Sequence, residues 1–81
     1  MAEHELLSNL DKIHTTEMGK LRISRNLELE AENAVQWCVS KTRRADRIIR
    51  NGKNWYVYAG RVVITINARS FTIITAHKIK E

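Results

Sequence analysis

Imidazole, guanidinium and hydroxyl groups are the side chains in this 81-residue sequence with the most to offer chemically. Without a metal, they could cleave RNA. That reaction needs a base for the 2′-hydroxyl proton, an acid for the leaving 5′-oxygen, and cations or hydrogen-bond donors for the charged phosphorane. Imidazole serves either proton-transfer role near neutral pH, which makes His14 and His77 the candidate acid and base. Arg22 is the candidate catalytic cation and Thr75 the catalytic hydroxyl. Lys20 and Arg61 are placed to hold phosphate, with Thr16 and Ser70 as donors. Arg25, Arg47, Asn67, Tyr56 and Tyr58 complete the expected binding surface. Aromatics interleaved with basic residues on a sheet make a platform on which bases can stack.

Each of these residues also has an ordinary reading. His14 fits the C-terminal end of a first helix, where a cationic ring meets the helix dipole favourably. His77 lies near the chain end, where solvation alone explains it. Arg43, Arg44, Arg47 and Arg50 could be a solubilising face, and Trp55 suits a core better than a base stack. Other chemistries lack their signatures. The histidines His4, His14 and His77 and the single Cys38 show no ligand spacing. There is no HExxH, Gly-rich phosphate loop or nucleophile elbow. No metal or cofactor is expected.

Lys and Arg total 14 against 9 Asp and Glu, for a net charge of +5. The balance is uneven along the chain: from Lys41 to Lys80 the only acid is Asp46. A basic C-terminal half points to an anionic partner, with RNA foremost. The length suits a single domain over residues 1–81, too short to close a second core. A core this small leaves room for a protein partner, such as an antitoxin, or for homodimerisation to add stability. No apolar run approaches the roughly 18 residues of a membrane span, and no signal peptide is evident. One cysteine fits a reducing compartment, so a cytoplasmic location is expected.

The elements that must position these groups are legible in outline. Leu6, Leu7, Leu10 and Ile13 recur at helical spacing, predicting a first helix over residues 2–14. Thr15 or Thr16 could cap a short second helix or turn before Leu27, with Gly19 marking a close backbone approach. A main helix is expected from about Glu28 to Asp46, with Ala31, Ala34, Val35, Cys38, Val39 and Thr42 buried. Four antiparallel strands follow, turning at Asn51-Gly52, at Ala59-Gly60 and at Ala68-Arg69-Ser70. If Asn67 pairs with Phe71, then Val62, Ile64, Ile66, Thr72, Ile74 and Ala76 share one face. Ile73, Thr75 and His77 fall on the other, beside Val63, Thr65, Tyr56, Tyr58, Arg47 and Arg61. The expected fold is α+β, with N-terminal helices on one face of a four-stranded antiparallel meander.

Two stretches carry a family resemblance: HTTEMGKLRISRNL, from His14 to Leu27, and GKNWYVYAGRVVITINARSFTIITAHKIK, from Gly52 to Lys80. With the Trp37-Cys38 pair between them, they resemble a family of small uncharacterised bacterial proteins catalogued as a domain of unknown function. That family implies no activity. At the level of fold, helices followed by a four-stranded antiparallel sheet are similar to the compact ribonucleases grouped around barnase, EndoU, the colicins and RelE. That resemblance implies metal-independent RNA cleavage, with Thr75 and His77 matching a terminal strand of the form T-x-x-T-A-H.

The expected function is thus a metal-independent endoribonuclease, in a bacterial setting the toxin of a toxin–antitoxin pair or a defence protein. The alternative is a noncatalytic module that binds nucleic acid or protein through the same open sheet face, in a regulatory or inhibitory role.

Overall fold

A computed structural model describes residues 2–79, and side chains from Glu5 onwards. The side chains of Glu3 and His4, and the expected strand end at Lys80, lie outside the described residues. Three helices come first, α1 (Ala2–Leu7), α2 (Glu17–Leu27) and α3 (Ala34–Arg43). Four strands follow: β1 (Arg47–Asn51), β2 (Asn54–Ala59), β3 (Val62–Asn67) and β4 (Ile73–Lys78). The strands pair in sequence order as an antiparallel meander, and the helices pack on one face. No described helix is long and apolar enough to cross a membrane.

The first helix is shorter than its leucine spacing predicts. Asn9 ends it, donating from Nδ2 to the Glu5 carbonyl at 2.6 Å. Asn side chains compete for backbone groups in this way and favour helix ends. A 3₁₀ turn, Leu10–Lys12, carries the chain on. Leu6 and Ile13 are buried, whereas Leu7 is exposed.

Helix α2 is the regular element that the sequence left open. Thr16 caps it, accepting from the Gly19 amide at 3.0 Å. The expected single helix from Glu28 to Asp46 is instead divided. Glu28 adopts the left-handed conformation at φ 57° and closes α2, so α3 starts only after a 3₁₀ turn at Ala31–Asn33. Ala34, Cys38 and Thr42, four residues apart, form the fully buried stripe of α3.

Both early strand turns are two-residue loops with glycine first, each one residue later than the expected Asn51-Gly52 and Ala59-Gly60. Asn51 pairs with Asn54 around Gly52-Lys53, and Ala59 pairs with Val62 around Gly60-Arg61. Gly52 and Gly60 have φ of 63° and 61°, the left-handed values that a Gly-X hairpin loop requires at its first position. The last connection is longer than expected. Asn67 N donates to Thr72 O at 2.8 Å, and Phe71 is forced to φ 61°. A bulky residue in that conformation is strained. Its ring is held against Trp55, with centroids 5.3 Å apart.

Beyond this loop, Thr65 pairs with Thr75 but Ile66 pairs with Ile73, leaving Ile74 as a bulge. The bulge corrects the expected faces. Ile73 turns into the core at 1% exposure, while Ile74 is 38% exposed. On the helix side, Trp55, Val57, Ile64, Ile66, Ile73 and Ala76 meet Leu6, Ile23, Leu27, Ala34 and Cys38 in one core. Full burial of each large aliphatic chain contributes about 2 kcal/mol.

Candidate functional site

The helix-free sheet face is built from cross-strand rows. Pairing across β1 to β4 aligns Arg47, Tyr58, Val63 and His77 in one row. Ile49, Tyr56, Thr65 and Thr75 form the next, and Asn51, Asn54 and Asn67 a third. Period-two alternation and two-residue loops put all of these on one side. Val63 and Thr65 are buried on this face, flanked in their rows by Tyr58 and His77 and by Tyr56 and Thr75. Tyr56 and Tyr58 are half-buried and line a shallow hollow of about 200 Å³ with Ile49 and Asn51. Two strand residues apart, their Cα atoms are spaced by about 7 Å. Asn54 Oδ1 is buried in the third row with no hydrogen-bond partner among the described residues.

The face therefore unites six of the expected site residues: Arg47, Tyr56, Tyr58, Asn67, Thr75 and His77. Arg61 sits in the β2–β3 loop, at the His77 end of the sheet; its carbonyl accepts from Ile79 N at 2.7 Å.

His14 belongs to a second cluster at the opposite end of β4. Its backbone forms a parallel bridge to Thr72. Nδ1 lies 2.8 Å from the Lys12 carbonyl oxygen; a carbonyl only accepts, so Nδ1 carries the proton. Nε2 meets Thr72 Oγ1 at 3.1 Å, and Thr72 Oγ1 meets Ser70 Oγ at 2.7 Å. Ser70 Oγ in turn donates to Asn67 Oδ1 at 3.2 Å. A neutral ring leaves two hydroxyl protons for these three contacts, and a cationic ring supplies a third. Asn67 Oδ1 also accepts from the Arg69 and Ser70 amides at 3.0 and 2.9 Å. This amide folds the loop, as Asn commonly does in turns. The cluster has the form of a proton relay, with an imidazole oriented by a carbonyl and joined to two hydroxyls.

The two expected proton-transfer histidines are not brought together. From Thr72 to His77 the strand advances about 15 Å. A general acid and a general base must each come within about 3 Å of oxygens on a single phosphate. Of the α2 residues, Thr16 serves as a cap, and Lys20 pairs with Glu17 at 3.4 Å. Arg22 Nη1 donates to the Ile74 carbonyl at 3.4 Å, Asn26 Nδ2 to Ala76 O at 3.2 Å, and Thr15 Oγ1 to Ile73 O at 2.9 Å. These three side chains satisfy the outer carbonyls of β4, which would otherwise be an open edge. Arg25 is exposed beside Met18 and Leu21 in a shallow cleft.

Sequence reasoning passed over Thr72, the hinge of the His14 cluster. The signal was its place just after an Asn-x-x-Ser turn, visible only once the loop length is known. Among the described residues, no cluster of three His, Cys, Asp or Glu could hold a metal ion. Burial pushes the Cys38 thiol from its ordinary 9.0 up to about 12, so it is a packing group rather than a nucleophile.

A family model described as "Protein of unknown function (DUF3781)" matches residues 7–77. The chain belongs to this family. The DUF3781 match takes in both clusters, from the Leu7 turn to His77. No curated protein and no solved structure matches the chain significantly.

Proposed function

We propose that the protein binds single-stranded RNA on its open sheet face, with bases stacked on Tyr56 and Tyr58. The observation that carries this reading is the row geometry. Two half-buried tyrosines project from one central strand on a helix-free face, with Arg47 at one side and Thr75 and His77 at the other. Stacking on aromatic side chains contributes about 1–3 kcal/mol per base and tolerates any sequence. Arg47 supplies a phosphate contact, and the basic C-terminal half supplies the wider attraction.

The second reading is metal-independent endoribonuclease activity, as in a toxin of a toxin–antitoxin pair. It is favoured by the row that sets an imidazole, a phenol and a guanidinium in line. His77 and Tyr58 flank Val63 about 10 Å apart at Cα, a span that one nucleotide bridges. His77 would take the 2′-hydroxyl proton as that oxygen bonds to phosphorus, and Arg47 would face the charged phosphorane. The Tyr58 phenol would give its proton to the leaving 5′-oxygen as its bond to phosphorus breaks.

One experiment tests both. Purified protein, Tyr58→Ala and His77→Ala are mixed with labelled single-stranded RNA in EDTA. Binding that weakens roughly 5- to 100-fold in Tyr58→Ala and falls steeply with salt supports the open face. Binding indifferent to Tyr58 and Tyr56 substitution overturns it. Discrete cleavage by wild type that disappears in His77→Ala establishes the nuclease; intact RNA throughout removes it.

A further inference from the structure

In an antiparallel meander the first and third turns lie at the same end. Here that end carries a cavity of about 680 Å³ lined by Glu5, Arg50, Lys53, Asn67 and Arg69 above the Gly52 turn. Ala68 N donates to Lys53 O at 2.8 Å, locking the two turns together. Three cations, two from the first hairpin and one from the β3–β4 loop, therefore surround one space.

Arg50 is held in position. Its Nε donates to Gly52 O at 3.0 Å, and its guanidinium lies 5.7 Å from the centre of the buried Trp55 ring. Neither terminal nitrogen has a hydrogen-bond partner among the described residues, so both can meet a ligand. Among the described residues, neither the Lys53 ammonium nor the Arg69 guanidinium has a hydrogen bond or ion pair. Like charges converging on one space repel, and an anion relieves that repulsion while accepting charge-assisted hydrogen bonds. Two guanidiniums suit the paired oxygens of phosphate.

The cavity is much larger than inorganic phosphate requires, and falls within the roughly 300–1,000 Å³ of small-molecule sites. Glu5, on the helix side, is the one carboxylate in the lining. An ionised carboxylate only accepts hydrogen bonds, so the ligand that suits it carries hydroxyl donors as well as the anion. We propose that this cavity binds a nucleoside 5′-phosphate, with phosphate on Arg50, Lys53 and Arg69 and the ribose hydroxyls donating to Glu5. The site meets the open sheet face at Asn67 but does not depend on that face's role. The same chemical group occurs as a free nucleotide and at the 5′ end of an RNA.

The test is a titration of isotope-labelled full-length protein with adenosine 5′-monophosphate, inorganic phosphate and adenosine, followed by amide NMR. The expected result is saturable shifts at Gly52, Lys53, Ala68 and Arg69. The nucleotide should bind at least about tenfold tighter than phosphate, a difference of about 1.4 kcal/mol, and adenosine should leave these amides unmoved. A Lys53→Ala/Arg69→Ala variant alters only exposed turn side chains and should keep its melting temperature while losing at least about tenfold in affinity. Glu5→Gln should weaken the nucleotide but not phosphate. Phosphate binding as tightly as the nucleotide, or undiminished nucleotide binding by the double variant, overturns the proposal. Competition by 5′-phosphorylated and 5′-hydroxyl oligouridylate then separates the sources. Tighter displacement by the phosphorylated strand than by free nucleotide identifies an RNA end; the reverse identifies a free nucleotide.

Discussion

His14 and Thr72 are joined by backbone and side chain together. His14 N donates to Phe71 O at 3.1 Å and Ile73 N donates to His14 O at 2.7 Å, one on each side of Thr72. Between them, Thr72 Oγ1 meets His14 Nε2 at 3.1 Å. A single extended residue ahead of α2 thereby lies against the start of β4. Replacing Thr72 with Val keeps the shape and the backbone bridge but removes the hydroxyl from the relay. The expected cost is about 1 kcal/mol in urea unfolding, with RNA binding on the open face unchanged. A Thr72→Val protein that loses RNA binding would move the nucleic-acid site to the His14 end.

Gly19 leaves no room for a side chain. An added Cβ would stand 2.1 Å from Thr15 Oγ1, and that hydroxyl is already bonded to Ile73 O at 2.9 Å. Gly19→Ala should destabilise the protein by about 1–3 kcal/mol. In a Thr15→Ala background the same change should cost much less, since the clashing oxygen is gone. Equal costs in the two backgrounds would show that Thr15 is not the obstruction.

The bulge predicts opposite outcomes for two adjacent isoleucines. Ile73→Ala should cost about 2–4 kcal/mol, as expected for a fully buried chain. Ile74→Ala should change stability by about 0.5 kcal/mol or less. Thermal or urea denaturation of the pair decides the register, because an unbulged strand would reverse the ranking.

Cys38 makes stability fall at alkaline pH. Burial raises its folded-state value to about 12, whereas the ordinary value is 9.0. Its contribution is therefore fully present below about pH 9 and is lost as pH rises towards 12, because only the unfolded chain gives up its proton in that window. The slope should be roughly 1 kcal/mol per pH unit. Urea unfolding between those limits should show it, and Cys38→Ala should flatten it. An equal slope in the variant would assign the alkaline loss to other groups.

The open face was legible because its logic is local. Alternation along VVITIN and NWYVYA, together with two-residue loops at Gly52 and Gly60, is enough to put Arg47, Tyr56 and Tyr58 on the same side as Thr75 and His77. This holds even with each loop read one residue early. Parity survived an error of two residues in the β3–β4 pairing, since side chains repeat every two positions. The same error hid the bulge and sent Ile73 and Ile74 to the wrong faces. It also hid the true loop, in which Asn67, Ser70 and Thr72 gather around His14.

The sequence by itself determined the α+β order, the apolar stripe of α3, the strand count and the composition of the helix-free face. These depend on periodicity, propensity and turn chemistry within a few residues. Only the tertiary structure decided that Asn9 and Glu28 end helices that periodicity would continue, and that Arg22 serves an edge carbonyl. It alone parted His14 from His77 and brought Arg50, Lys53 and Arg69 around one cavity. Arg22 and Ile74, His14 and His77, and Arg69 and the Arg50–Lys53 hairpin are far apart in sequence, so their distances are fixed by strand register and loop length rather than by residue type. The helix ends at Asn9 and Glu28 are local side-chain and backbone choices that apolar periodicity does not register.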